Sequence, residues 1–134
     1  FDCASEDVIV LTQTCDLVKG REKVTEVLLC PLNEKTDFAE GALLAKKEDW
    51  ERARKGGFPG YHVINRCSLS GHEFEPMVVS FRRVYSLPLD FLRQLATIKS
   101  ERIRLLPPYR EHLSQAFARY FMRVGLPVDI PAFK

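Results

Sequence analysis

The run Thr12-Gln13-Thr14-Cys15-Asp16 places polar and reactive side chains directly after an apolar stretch, Val8-Ile9-Val10-Leu11. Loops that leave a buried strand carry functional groups on a rigid support. Cys15 is the nucleophile such a loop would offer. A thiol attacks as the thiolate, which needs a nearby histidine, cation or helix N-terminus. Asp16 and a histidine, His72, complete one candidate catalytic set, with Lys19 and Arg21 as further sources of positive charge. The plainer reading is that Thr14 or Asp16 caps a turn and Cys15 packs. A metal site would need Cys15, Cys67 and His72 to converge, and the ligand pairs roughly two to four residues apart that structural zinc shows are missing. Neither a metal nor a cofactor is therefore expected. There is no phosphate-cradling Gly-rich loop, no G-x-S-x-G and no H-E-x-x-H, and the carboxylates Glu73/Glu75 and Glu48/Asp49/Glu51 lie in polar stretches that read as surface charge.

A second candidate chemistry is electrostatic. The chain's net charge is only +2, but residues 1–81 carry 10 Lys/Arg against 14 Asp/Glu, while residues 82–123 carry 9 against 3, a local excess of +6. Eight of those nine cations are arginine, whose planar fork suits phosphate. Arg82, Arg83, Arg102, Arg104, Arg119 and Arg123 form one basic surface if the elements carrying them are neighbours, with Tyr85, Tyr109 and His112 placed to stack on bases. Such a surface would bind RNA or DNA in a salt-dependent way. The plainer alternative is a solvated face, or pairing with the acidic first half.

The elements that must position these residues follow from pattern. Val8 to Leu11 reads as a buried strand. Val24 to Leu29 reads as a second, ended by Cys30-Pro31 because proline cannot donate to a ladder. The two are expected to be adjacent and central. Ala39 to Arg54 is rich in helix formers, with Asp37 as cap, Leu43, Leu44 and Trp50 as a thin apolar face and Gly56-Gly57 as the stop, so 33–60 reads as a helical insertion. Tyr61 to Ile64 and one long or bent strand over Met77 to Leu87 form a hairpin turning near Gly71. Asp90 to Ile98 makes a short helix with Phe91, Leu92 and Leu95 inward, and Arg102-Ile103-Arg104-Leu105 alternates like a brief strand. Leu113, Ala116, Phe117, Tyr120, Phe121 and Val124 recur at helical spacing, which predicts a C-terminal amphipathic helix over 109–124 that Gly125-Leu126-Pro127 would end.

At 134 residues, 46% hydrophobic and 28% charged, the chain is sized and composed as a single globular domain over 1–134. No apolar run is long enough to span a bilayer. Cys3, Cys15, Cys30 and Cys67 are widely spaced in a chain able to bury a normal core, which favours reduced thiols and a cytoplasmic location. The expected class is α+β: a small, mostly antiparallel sheet or partial barrel, with the inserted helical segment and the closing helix.

The order of elements resembles the PemK/MazF-type small barrels: a strand ending in small polar residues (Val8 to Thr14), one ending in proline (Val24 to Pro31), one bearing Arg-Val (Val78 to Val84), and a closing helix ending in Gly-Leu (Leu113 to Leu126). The resemblance lies in pattern and covers most of the chain. It implies a toxin ribonuclease of a bacterial toxin–antitoxin system, often a homodimer. The family's early Gly-x-Glu stretch leading to Arg-Pro has no counterpart here, so no catalytic residue carries over. The readings in play are thus an RNA- or DNA-binding domain of a bacterial conflict system, an enzyme using Cys15, and a protein-interaction or scaffold domain, with a homodimer or protein partner and no membrane.

Overall fold

The structure, a computed structural model, describes residues 5–37 and 44–122. Five strands, β1 (Val8–Val10), β2 (Glu26–Glu34), β3 (Tyr61–Ile64), β4 (Met77–Ser80) and β5 (Tyr85–Pro88), make one antiparallel sheet in the order β1-β2-β4-β3, with β5 also on β2. Three helices accompany it: α1 (Lys47–Arg54), α2 (Leu89–Lys99) and α3 (Tyr109–Phe121). The chain is α+β, as its pattern implies. The sheet is open: β1, β3 and β5 each pair on one side only, and it does not close into a barrel.

β2 is the spine, and Pro31 lies inside it instead of ending it. The parity of the ladder explains why this is tolerated. Leu11 N–H donates to Leu28 O and Leu32 N–H to Asp7 O, so the even-numbered residues of β2 turn their backbone groups toward β1. The odd-numbered Pro31 would turn its missing N–H the other way, toward β4 and β5. There the ladder is already broken: Leu32 pairs with Val79 and Leu29 with Tyr85, and a 3₁₀ turn, Phe81–Arg83, fills the gap. β4 and β5 are thus one strand, bent where the spine has no donor to offer. β1, in contrast, is an edge strand and not central.

Side-chain alternation sorts the core onto the two faces. Leu11, Cys30, Val79 and Phe81 pack under α3 with Leu113, joined by Ala116, Phe117 and Tyr120. On the other face Val78 packs with Leu44, Trp50 and Ala53 of the α1 region, and Val27 and Leu29 with Leu89 and Leu92 of α2. The C-terminal helix thus buries the stripe its spacing implies. Phe121 is exposed, and Arg123, Val124 and Gly125-Leu126-Pro127 lie outside the described residues.

The insertion differs from its sequence pattern. β2 runs to Glu34, Asp37 accepts the Glu34 N–H at 2.7 Å instead of capping a helix, and residues 44–46 are a turn before α1 starts at Lys47. Leu43, like Cys3, lies outside the described residues. The stop falls where the glycines put it: Gly56, at φ +72°, and Gly57 donate back to Ala53 O and Arg52 O.

The 61–67/74–80 hairpin holds one register from Ser80 to the isolated Cys67–Phe74 bridge and turns through Gly71 at φ +80°. α2 starts one residue earlier than its pattern suggests, at Leu89, which is buried. That phase turns Leu92, Arg93 and Ala96 inward and sends Phe91 and Leu95, expected inside, outward. Residues 101–106 form no strand; their alternation finds no partner.

Gly60 lies close against α3. Its φ is +94°, and a methyl there would meet Tyr120 Cε2 at 3.3 Å and Arg82 Nε at 3.6 Å. Gly60→Ala should cost about 1–3 kcal/mol from backbone strain alone, read as a lower urea midpoint. An unchanged midpoint would refute this packing.

Candidate functional site

Three elements meet at the β3 edge. β3 alternates Tyr61 and Val63 toward the α1 face with His62 and Ile64 toward α3. His62 lies over Phe81 with ring centroids 6.5 Å apart and planes 28° apart. Phe81 in turn touches Phe117 at 5.5 Å and Tyr120 at 6.0 Å. α3 brings His112 and Arg119 to the same place, and the bent strand brings Arg82, whose guanidinium sits 5.6 Å from the centre of the Tyr61 ring.

The field at His62 is positive, although the Glu111 carboxylate also acts on His112. Burial holds the His62 pKa below its ordinary 6.5, and the charges of His112 and Arg119 push it the same way. Neither Arg82 nor Arg119 has a carboxylate partner among the described residues, nor does His112 or His62. Tyr109 stands against His112, edge to face at 6.3 Å, and is itself largely exposed.

The remaining predicted arginines go elsewhere. Arg83 is bound to Glu6 at 3.0 Å, so one cation of the expected patch is neutralised by the acidic first half. Arg102 lines a groove beside Lys19 and Arg93. Arg104 is exposed in the irregular stretch before α3, and Arg123 lies outside the described residues. Tyr85, on β5, feels the charges of Glu6 and Arg83 instead of facing His112. The structure thus brings Arg119 and His112 to His62, a residue absent from the sequence-predicted set, while Arg82 lies at the start of β3 beside Gly60 and the Tyr61 ring. A histidine in the apolar run Tyr61-His62-Val63-Ile64, in phase with the core-facing Ile64, is the available signal.

Around Cys15 less chemistry assembles. It sits in a 3₁₀ turn, Thr14–Asp16, exposed, with its sulfur 3.7 Å from Asp16 Oδ1. Asp16 pairs with Lys23 at 3.4 Å, and His72 Nε2 lies 3.0 Å from Glu101 Oε2. Among the described residues no hydrogen bond joins Cys15 or Asp16 to a histidine. The turn does meet α3: Gln13 Nε2 donates to Ser114 Oγ at 3.1 Å. No three His, Cys, Asp or Glu side chains come together as a metal site among the described residues, and no described helix is long and apolar enough to cross a membrane.

A separate polar cavity of about 240 Å³, lined by Asn33, Asp37, Tyr61, Ser80 and Arg83, opens on the α1 face of the sheet. Comparison of the chain with protein-family models, with curated proteins and with solved structures finds no match.

Two outcomes follow from this geometry. A folded-state pKa held below 6.5 makes neutral His62 a source of stability that is present above pH 6.5 and lost as pH falls below it. The stability of the wild type should therefore drop more than that of His62→Gln between pH 7.5 and pH 5.5, measured by urea unfolding at both pH values; parallel losses would contradict the placement. Second, burial pushes the Cys30 thiol up to about 11 while Cys15 is exposed. Mild alkylation of the native protein should label Cys15 and spare Cys30, at a Cys15 rate no greater than that of a model thiol. A much faster rate would restore the nucleophile reading.

Proposed function

We propose that this is a nucleic-acid-binding domain whose contact surface is the β3 edge and the adjoining face of α3. The observation that carries the reading is the set Arg82, Arg119, His62 and His112 along the β3 edge and α3, set among aromatic rings, with neither arginine ion-paired among the described residues. An unneutralised basic cluster interleaved with aromatics suits a polyanion that also carries flat bases. Arg82 and Arg119 would take backbone phosphates, and Tyr109 with His112 would stack on a base. The nucleophile reading has less behind it, since no base is bonded to Cys15. The resemblance in element order to toxin ribonucleases would place such a domain in a bacterial conflict system.

The test is affinity for single- and double-stranded oligonucleotides of RNA and DNA across a salt series. Binding should weaken steeply with salt, and the Arg82→Gln/Arg119→Gln double variant should lower the log–log salt slope by about 2, roughly one for each phosphate no longer neutralised. Absence of binding at low salt would remove the proposal. A slope unchanged in the double variant would move the contact surface away from α3.

A further inference from the structure

The groove that takes Arg102 has its own architecture. It is about 480 Å³ in volume and lies between the 17–23 loop and the last turn of α2, lined by Lys19, Arg93, Ala96, Thr97, Ser100 and Arg102. We propose that it binds a phosphomonoester dianion. Three observations converge on this assignment, and none of them depends on the β3–α3 surface.

The first is charge. Of the three cations on the wall, Arg93 is matched by Glu22 at 2.7 Å, whereas Lys19 and Arg102 make no ion pair among the described residues. The groove therefore holds two uncompensated positive charges. The C-terminal end of α2 contributes about half a negative charge, too little to cancel them. A phosphomonoester carries close to two negative charges at pH 7. A backbone phosphodiester carries one, so this groove fits a terminal or free phosphate better than the run of a nucleic-acid chain.

The second is rigidity. The Glu22 carboxylate receives its own backbone N–H, the Gly20 N–H and the Arg93 guanidinium, which together hold its pKa at about 2. Arg93 also donates to Leu17 O at 3.2 Å. Within the loop, Arg21 N–H reaches Val18 O, Lys23 N–H reaches Asp16 O, and Lys23 Nζ pairs with Asp16. The loop backbone that carries Lys19 is thus stapled to α2. A wall whose backbone is already ordered loses less entropy when an anion arrives.

The third is the backbone at Ser100. It has φ 54° and ψ −59°, and Glu101 N–H donates to Lys99 O at 2.6 Å. This is a γ-turn of the rarer, strained hand, an uncommon state for a residue with a Cβ. It reverses the chain at the end of α2, and Arg102 follows onto the groove wall. Thr97 Oγ1 already donates to Arg93 O, so its proton is committed. The Ser100 hydroxyl makes no hydrogen bond among the described residues and offers its proton to a phosphate oxygen.

The experiment uses the full chain and titrates phenyl phosphate by calorimetry at low ionic strength and pH 7.5, with dimethyl phosphate as the monoanionic control. Phenyl phosphate should bind saturably and dimethyl phosphate should not. Lys19→Gln and Arg102→Gln should each weaken binding about tenfold or more, as expected when one charge-assisted hydrogen bond is removed. Both side chains are exposed and without ion pairs among the described residues, and thermal unfolding checks that the variants fold. No saturable binding, equal binding of the two probes, or binding indifferent to Lys19→Gln and Arg102→Gln would each overturn the site.

A parallel arm compares 5′-phosphorylated with 5′-hydroxyl oligonucleotides. A preference for the phosphorylated end that vanishes in Arg102→Gln assigns the groove to nucleic-acid termini. Phenyl phosphate binding without that preference assigns it to a small phosphorylated molecule. Failure of both oligonucleotides to bind would sink the nucleic-acid reading and leave the groove standing on phenyl phosphate alone.

Discussion

The molecule depends on one break in a ladder. Pro31 removes a donor from the sheet's longest strand, and the chain opposite answers with the turn Phe81–Arg83. Without that turn, β4 and β5 would run straight, and Phe81, Arg82 and Arg83 would alternate across two faces as ordinary strand residues do. With it, Phe81 drops into the core against His62, Phe117 and Tyr120, while Arg82 and Arg83 stay in water. The same bend therefore seats α3 and supplies a cation at the β3 edge.

Charge is distributed by neighbourhood and not by chain half. Arg83 and Arg93 are claimed by Glu6 and Glu22 from the acidic first half, and Arg110 by Glu111 beside it. Exposed pairs of this kind contribute little to stability. Their effect is to subtract cations from the surface, so among the described residues the excess in 82–123 contracts to the β3–α3 face, the groove beside α2, Lys99 and Arg104. Two basic regions of different character result. One is an edge lined with rings, and the other is a walled groove with a hydroxyl.

The sequence is most legible where structure is local. The stripe Leu113, Ala116, Phe117 and Tyr120, the Gly56-Gly57 stop and the Gly71 hairpin turn each depend on neighbours within a few residues, and each is present. Pro31 looks like a strand end because its tolerance depends on the parity of a ladder with β1 and on a gap 50 residues downstream in the chain. Arg102 to Leu105 alternates like a strand, but alternation does not supply a pairing edge. Starting α2 at Asp90 leaves out Leu89, the buried residue that defines the inward stripe Leu89, Leu92, Arg93 and Ala96, so Phe91 and Leu95 are assigned to the wrong side. Of the site, the arginines are visible by type, but their ion pairs are not, because Glu6 and Glu22 reach them only through the fold. His62 is legible in principle from its phase with Ile64.

The outward ridge of α2, Phe91, Leu95 and Ile98 at 50%, 37% and 79% exposure, has a thermodynamic consequence. These side chains already meet water in the native state, as do Leu106, Phe121 and Met122. Unfolding therefore adds little new contact between hydrocarbon and water at these positions. The heat-capacity increment and the urea slope both scale with that newly wetted area.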